Sequence, residues 1–562
     1  MVSVRWRHLL PFLDWPRPTF GLLRSEALAG LAVGLMVIPQ GVAYAALAGM
    51  PLVTGIYASL LPALVAVLFS SSVRLSVGPT ALSCLLISSS LNGLAVPGSA
   101  EWVNMAVWLA LLCGSVQVLL GAMRFGWLLN LVNAPVLMAF TQAAAVLIIA
   151  SQLPNLLGWR GGTEASTARL GVLANWNLSA TAFGLLCLGL LVVSRRWKPM
   201  FPIVLLLVVL SAATSVVLQF EGRGGAVVGQ LPQGMPALRW PHWPGWATLV
   251  ELLLPVLVIT LISFLETAAS AKVDNASQGT RWNQNQDLIG QGLGKLAAAF
   301  SGAFPTSSSF SRSALNLYAG ARSGWSTVFS VAVVGLALLW FLPVLHHVPQ
   351  AVLASIVVVA VIGLIRPAEF IKLWHISRVE AVVAAVTFTV TVLASPRLYW
   401  GVLAGVMLAL CHFLYLRLHP RIVELGLHTD GRLRDRHLWQ LPALAPETCV
   451  LRMDAALDFG SAYALEEAVS EHLANHPQTR RVVLFSQAIN RIDATGVETF
   501  ASIRQQLTSQ QRDWVVVGLK RPVERVLQAA GCVQPGPNFH LYVSEAEAML
   551  AIENSVNQHN RK

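Results

Sequence analysis

The sequence predicts a polytopic α-helical membrane protein of about fourteen transmembrane segments, followed by a small cytoplasmic α/β domain. Three observations predict it. The chain of 562 residues is 55% hydrophobic and only 12% charged, with a mean hydropathy of +0.63, whereas charged residues make up about a quarter of an average soluble domain. Charge collects before about residue 25 and after about residue 417, and the interval between reads as a series of apolar segments of roughly 17 to 25 residues. Past Arg421 the composition changes to that of a soluble domain.

The N-terminal segment, 1–24, carries Arg5, Arg7, Arg17 and Arg24 without a cleavage site behind a short apolar core, a pattern unlike a removable signal peptide. Spans start near residues 26, 53, 75, 104, 128, 176, 199, 247, 285, 305, 322, 349, 377 and 397, and an even number leaves both termini on one side. Basic residues gather in the connections after even-numbered segments, at Arg124, Arg195, Arg196, Lys198, Lys272, Arg281, Arg322, Arg366, Lys372 and Arg378. By the positive-inside rule both termini face the cytoplasm, in a multi-pass protein of the cell membrane. The net charge of +11 is read the same way, as a topology signal and not as a nucleic-acid footprint. Six cysteines are scattered, with no spacing of a metal site or disulfide framework.

Two segments break the pattern. The third, RLSVGPTALSCLL from Arg74, and the tenth, FPTSSSFSRSAL from Phe304, are short, begin extended and carry proline near their start. They stand about seven segments apart, and short Pro- or Gly-interrupted spans at matching places in two halves point to a transporter site built from inverted repeats. With an odd number of spans per half, the second half is inverted. Half-helices that aim their N-termini at each other near the midplane offer free N–H groups and positive dipole ends to an anion. The tenth segment also holds Arg312, and a permanent cation at bilayer depth calls for protein, water or a counter-ion around it. Arg312 is therefore read as an anion-site residue, acting either by direct contact or by its field alone; a direct salt bridge holds a substrate tightly against release.

Glu266, in LISFLETAASAK, is the acidic residue set most deeply in a predicted span, with Ser263 and Ser270 on its face. A carboxyl there either exchanges a proton during transport or serves as structural partner to a cation such as Lys295 or Arg312. His346 and His347 fall in an external connection, and two adjacent histidines do not define a metal site. With no Walker A loop, zinc constellation or activated nucleophile motif, an enzyme is not indicated, and no cofactor is expected.

In the C-terminal part, Val450–Leu457, Arg481–Ala488 and Asp513–Leu519 read as strands, and Ala462–Asn475, Thr495–Thr508 and Pro522–Ala530 as the helices after them. The expected organisation is a transporter domain at 25–418, a linker at 419–445 containing the polar stretch His428–His437, an α/β domain at 446–555 and a tail at 556–562.

Several long motifs in order resemble the SulP family of sulfate-permease-type anion transporters with a C-terminal STAS domain. VIPQGVAYAALAG (Val37–Gly49) resembles the first-span signature, followed by GIYASLLPAL; SVGPTA (Ser76–Ala81) is similar to the third-span motif, and NQDLIGQGLGKLAAAFSGAFPTSSSFSRSALN (Asn285–Asn316) to the ninth and tenth. The resemblance implies two intertwined inverted repeats of about seven spans each, a core domain moving against a gate domain, typically in a homodimer. It implies a carrier of a small inorganic anion, sulfate first, with bicarbonate, chloride or dicarboxylates such as fumarate and succinate as alternatives. The site it implies is lined by Gln40 and Tyr44, by Thr80 and Ala81, and by Ser309, Phe310, Ser311 and Arg312. Gln40 donates to the anion or satisfies a neighbouring helix, and Tyr44 either packs or closes the pocket. Glu266 stands where relatives place an acidic residue near the substrate. Coupling is thus assigned to Glu266, Ser270 and Lys295. Lys295 departs from the family's asparagine; it pairs with Glu266 or Asp287, or adds field to the anion path. Phe310 replaces the small residue of a sodium-coupled carrier, which favours H⁺ over Na⁺.

NRIDATGVETF (Asn490–Phe500) resembles the STAS motif. Asp493 or Thr495 caps the helix that follows, whose N-terminus is a contact point for phosphate, nucleotide or a cytoplasmic protein, and in related stand-alone regulators the residue matching Thr495 is phosphorylated. A membrane-anchored anion sensor with the STAS domain as output is the competing reading from another class.

Overall fold

The computed structural model describes residues 10–159, 176–197, 203–232 and 234–559. Arg5, Arg7 and Lys198, the expected start of the seventh span and the end of the tail at 560–562 lie outside the described residues. The chain divides into two compact units, 1–409 and 410–562.

The first unit is mainly helical. Its elements are α1 (Phe20–Leu47), α2 (Thr54–Tyr57), α3 (Leu61–Phe69), the strand β1 (Val77–Gly78), α4 (Ala81–Leu91), α5 (Ala100–Ala122), α6 (Ala134–Leu156), α7 (Leu178–Trp197), α8 (Ile203–Val217), α9 (Trp246–Gln278), α10 (Gln284–Phe300), the strand β2 (Ser307–Ser308), α11 (Phe310–Tyr318), α12 (Trp325–Trp340), α13 (Leu342–His346), α14 (Gln350–Ile362), α15 (Pro367–Ile376) and α16 (Arg378–Leu393), and the division between the units falls within α17 (Tyr399–Leu418). Among the described residues, six stretches are long and apolar enough to cross a membrane, and further apolar helices, α4 and α8 among them, are shorter.

Packing sorts these helices into two groups. In one, α10 lies against α5 and α3, α9 against α5 and α4, and α12 and α11 against α1. In the other, α6 lies against α14 and α16, α7 against α14, and α8 against α13. Asp287 of α10 anchors the turn between α3 and β1. Its Oδ1 accepts the N–H groups of Ser71 and Ser72 at 2.7 and 2.9 Å and the Ser71 hydroxyl at 2.8 Å, and its Oδ2 accepts the Ser72 hydroxyl at 2.6 Å and Trp282 Nε1–H at 2.7 Å. A buried carboxylate with that many donors is satisfied without a cation.

The glycine after Gln40 is explained by close helix approach. A Cβ on Gly55 would lie 1.9 Å from the carbonyl oxygen of Gly41, so Gly55→Ala must push α2 away from α1. Overpacking of this kind costs about 1–3 kcal/mol, and a lower thermal midpoint of the purified protein in detergent is the expected result.

The second unit is an α/β domain with one six-stranded sheet in the order β4-β3-β5-β6-β7-β8. The strands are β3 (Ile422–Leu427), β4 (Leu433–Asp435), β5 (Thr448–Met453), β6 (Arg481–Phe485), β7 (Asp513–Val517) and β8 (Phe539–Tyr542); the helices are α18 (Ala462–Asn475), α19 (Ala494–Ser509), α20 (Arg521–Ala529) and α21 (Glu545–His559). β5 to β8 run parallel, and the central β6 and β7 are buried almost throughout, as a sheet covered on both faces requires. The stretch expected as a linker differs. Residues 422–435 form a hairpin whose first strand pairs antiparallel with β5, Ile422 opposite Met453. Turn chemistry makes it: Gly431, at φ +79°, follows Asp430, and the His428 N–H donates to the Arg432 carbonyl at 3.0 Å. Polar side chains here mark an edge of the sheet, not a tether.

Candidate functional site

The extended starts of the third and tenth segments meet. β1 and β2 pair antiparallel, Val77 opposite Ser308 and Gly78 opposite Ser307, and the Ser309 N–H adds a bond to the Ser76 carbonyl at 3.0 Å. A half-helix leaves each strand. Thr80 caps α4, its hydroxyl oxygen accepting the Ser83 N–H at 3.3 Å, and Ser309 caps α11, accepting the Arg312 N–H at 3.5 Å. The chain folds this way locally because Pro79 cannot donate to a ladder and the hydroxyl that follows caps the start of the helix. Ala81 and Phe310 are the first residues of the two helices.

Arg312 is 1% exposed and is turned toward the third segment. Its Nη1–H donates to the Pro79 carbonyl at 2.9 Å and its Nε–H to the Ser76 hydroxyl at 3.3 Å, while Nη2 has no protein acceptor among the described residues. The guanidinium thus fixes the start of α4 and leaves one donor edge over. Ser311 lies exposed with its hydroxyl 3.4 Å from that of Ser309, and Phe310 is 57% exposed beside them. Gln40 and Tyr44 are buried on α1, which packs against α11, and Gln40 Oε1 meets no protein donor among the described residues. A small cavity lined in part by Ser59, Ser76, Asn316 and Ser326 lies nearby; at about 10 Å³ it has room for about one water.

Glu266 reaches this centre from α9. Its Oε2 accepts the Thr80 hydroxyl at 3.1 Å and the Ser83 hydroxyl at 3.2 Å. Ser270 stands apart from the carboxyl: its hydroxyl donates to the Glu266 main-chain carbonyl at 3.2 Å, an ordinary bond one turn back along the helix. Lys295 is fully buried and pairs with neither expected acid. Its ammonium donates to Gln117 Oε1 of α5 at 2.9 Å, and the Gln117 amide donates to the Ser263 hydroxyl at 2.8 Å and the Thr260 carbonyl at 3.2 Å. Asp287 is satisfied by its serines, which removes it as a partner for Lys295. Gln117 is the residue that sequence reading missed, and its signal was an amide deep in a long apolar span.

The family model described as the sulfate permease family matches residues 23–387, and the STAS domain model matches 443–548. The chain belongs to the sulfate permease family. It is a multi-pass membrane anion transporter, and the family is one of transporters rather than enzymes. "Sulfate transporter 4.1, chloroplastic" of Arabidopsis thaliana is 28% identical over 95% of this chain and 82% of its own length. "Probable sulfate transporter MT1781" of Mycobacterium tuberculosis is 29% identical over 94% of this chain and 95% of its own. The solved structure of the murine Solute Carrier 26 family member A9 anion transporter superposes with a TM-score of 0.85 at 19% identity, over 98% of this chain and 95% of that one, which shows the fold.

In the STAS domain of this family member, Asp493 is the helix cap. Its Oδ1 accepts the Gly496 N–H at 2.9 Å and its Oδ2 the Phe459 N–H at 3.0 Å, so the carboxylate also fastens the loop after β5. Thr495 lies exposed in the first turn of α19.

Proposed function

We propose that this chain is a secondary active carrier of sulfate coupled to H⁺, set in the cell membrane with both termini cytoplasmic, and working by alternating access of its two helix groups. The observation that carries the reading is the meeting of two capped half-helix N-termini beside a buried arginine, with a carboxyl bonded to one of the caps. N–H groups at the starts of α4 and α11, with the hydroxyls of Thr80, Ser309 and Ser311, replace the hydration an oxyanion loses. The Arg312 guanidinium, held at the start of the first half-helix, adds a fixed positive charge to the two N-termini.

The bond between Thr80 and Glu266 supports the coupling part of the reading. Thr80 has one hydroxyl proton, and while it is donated to ionised Glu266 it is withheld from a substrate. A proton on Glu266 weakens that bond and frees the hydroxyl to turn toward the anion. Sulfate is favoured as substrate because the relatives named above carry that name. A homodimer, and a regulatory STAS domain whose Asp493–Thr495 turn meets a nucleotide, kinase or partner protein, complete the proposal.

The test is labelled-sulfate uptake into proteoliposomes, with and without an inward proton gradient, with bicarbonate and fumarate as competitors. Gradient-driven uptake that unlabelled sulfate suppresses is expected. Uptake of bicarbonate or fumarate in place of sulfate overturns the substrate, and uptake indifferent to the gradient overturns the coupling.

A further inference from the structure

The turn after α8 and the link between α13 and α14 are held side by side. Val228 N–H donates to the Val348 carbonyl at 2.9 Å, Gly229 N–H to the His346 carbonyl at 3.1 Å, and Gln350 N–H to the Ala226 carbonyl at 2.9 Å, so 226–229 runs against 346–350 as a short antiparallel pair. Phe220, buried beside Ala180 and Ala351, fixes the turn that carries the next residue, Glu221. Two chain crossings between the helix groups are thereby joined: α8 to α9, and α12 to α14.

On this pair, Glu221 comes to His346 and His347. The His346 Nε2 is 3.5 Å from Glu221 Oε2, the two imidazole rings stand 4.6 Å apart at 77°, and the ligating atoms of all three residues lie within 4.8 Å of one another. We propose that Glu221, His346 and His347 form a divalent-metal site of the zinc class, on the membrane face that the charge asymmetry places outside. With metal–ligand distances near 2.1 Å, neighbouring ligands of a tetrahedral ion stand about 3.4 Å apart. The His346–Glu221 separation already fits that edge, and a small turn of the His347 ring closes the third. Two imidazoles and a carboxylate select zinc, copper or nickel over calcium and magnesium, which want oxygen donors. The side chains of His346 and Glu221 are 23% and 57% exposed, so an ion enters from solvent and keeps a water as fourth ligand. A plain ion pair accounts for His346 and Glu221 alone; it leaves the placement of His347 unused.

The site stands independently of the transport reading, because metal binding is read directly. Purified tag-free protein is titrated with ZnCl₂ by calorimetry, and with Co²⁺ as a visible probe of four-coordinate geometry. One saturable ion per chain is expected, with the Co²⁺ spectrum of a tetrahedral site. Glu221→Gln should weaken binding by at least about tenfold, and the His346→Ala/His347→Ala double variant should abolish it and lose the zinc-dependent rise in thermal midpoint. Binding that survives the double variant, or no saturable binding in the parent, overturns the proposal. Glu221→Gln removes only a half-exposed carboxylate, and so keeps the test intact if the double variant fails to fold.

Discussion

Arg312→Ala is expected to lower the initial rate of sulfate uptake by at least about tenfold, since a hydrogen bond to a charged group contributes about 1.5–3 kcal/mol. Two effects add. The substitution removes a fixed positive charge behind the half-helices, and it releases the Pro79 carbonyl and the Ser76 hydroxyl that the guanidinium holds. An unpaired buried acceptor costs about 1–3 kcal/mol, so the start of α4 should loosen. Arg312→Lys separates the two effects. An ammonium keeps the charge but not the fork that reaches both acceptors. If the field dominates, the lysine variant recovers much of the rate at unchanged substrate affinity; if positioning dominates, it behaves as the alanine variant does. Uptake at parental rates by Arg312→Ala, normalised to folded protein, would remove Arg312 from the site.

Glu266→Gln should separate coupling from binding. The carboxamide keeps the size of the side chain and an acceptor for the Thr80 and Ser83 hydroxyls, so the fold and the cap of α4 are retained. What disappears is the group that takes and gives a proton. Uptake driven by an inward proton gradient is expected to vanish, while exchange of internal for external sulfate persists and loses its rise toward acid pH. The sign follows from the hydrogen bond: acid outside protonates Glu266 there and frees Thr80 on the loading side, and a more alkaline interior reverses both. A variant still concentrated by the gradient would place the proton elsewhere.

Much of this was legible in the residues. The two half-helices announced themselves because proline and a hydroxyl at a helix start are chemical requirements of an interrupted span, and Arg312 because a cation there needs a reason. Other parts had no local signature. A strand of two residues has no period, so β1 and β2 could not be told from loop. The serines that hold Asp287, in the turn after α3, and the Gln117 that holds Lys295, on α5, are more than 170 positions away in the chain, and no spacing rule reaches them. Within the STAS domain, α18 and α19 followed from apolar periodicity, whereas the β3–β4 hairpin was mistaken for a linker because its polar composition outweighed the Asp430–Gly431 turn. Glu221 carried no mark at all until the chain returned it to His346.

The pairing of β1 with β2 also bears on how the protein is made. Arg312 and Ser76, which it brings together, are 236 positions apart in the chain, so the third segment leaves the ribosome long before its partner exists. Until then its backbone groups and hydroxyls lack their partners in a setting where unmet polar groups are expensive. The first half should therefore remain shielded by water or by the insertion machinery, and its folding should commit only when the tenth segment arrives. A chain truncated before Phe304 is then a substrate for quality control rather than a half-transporter.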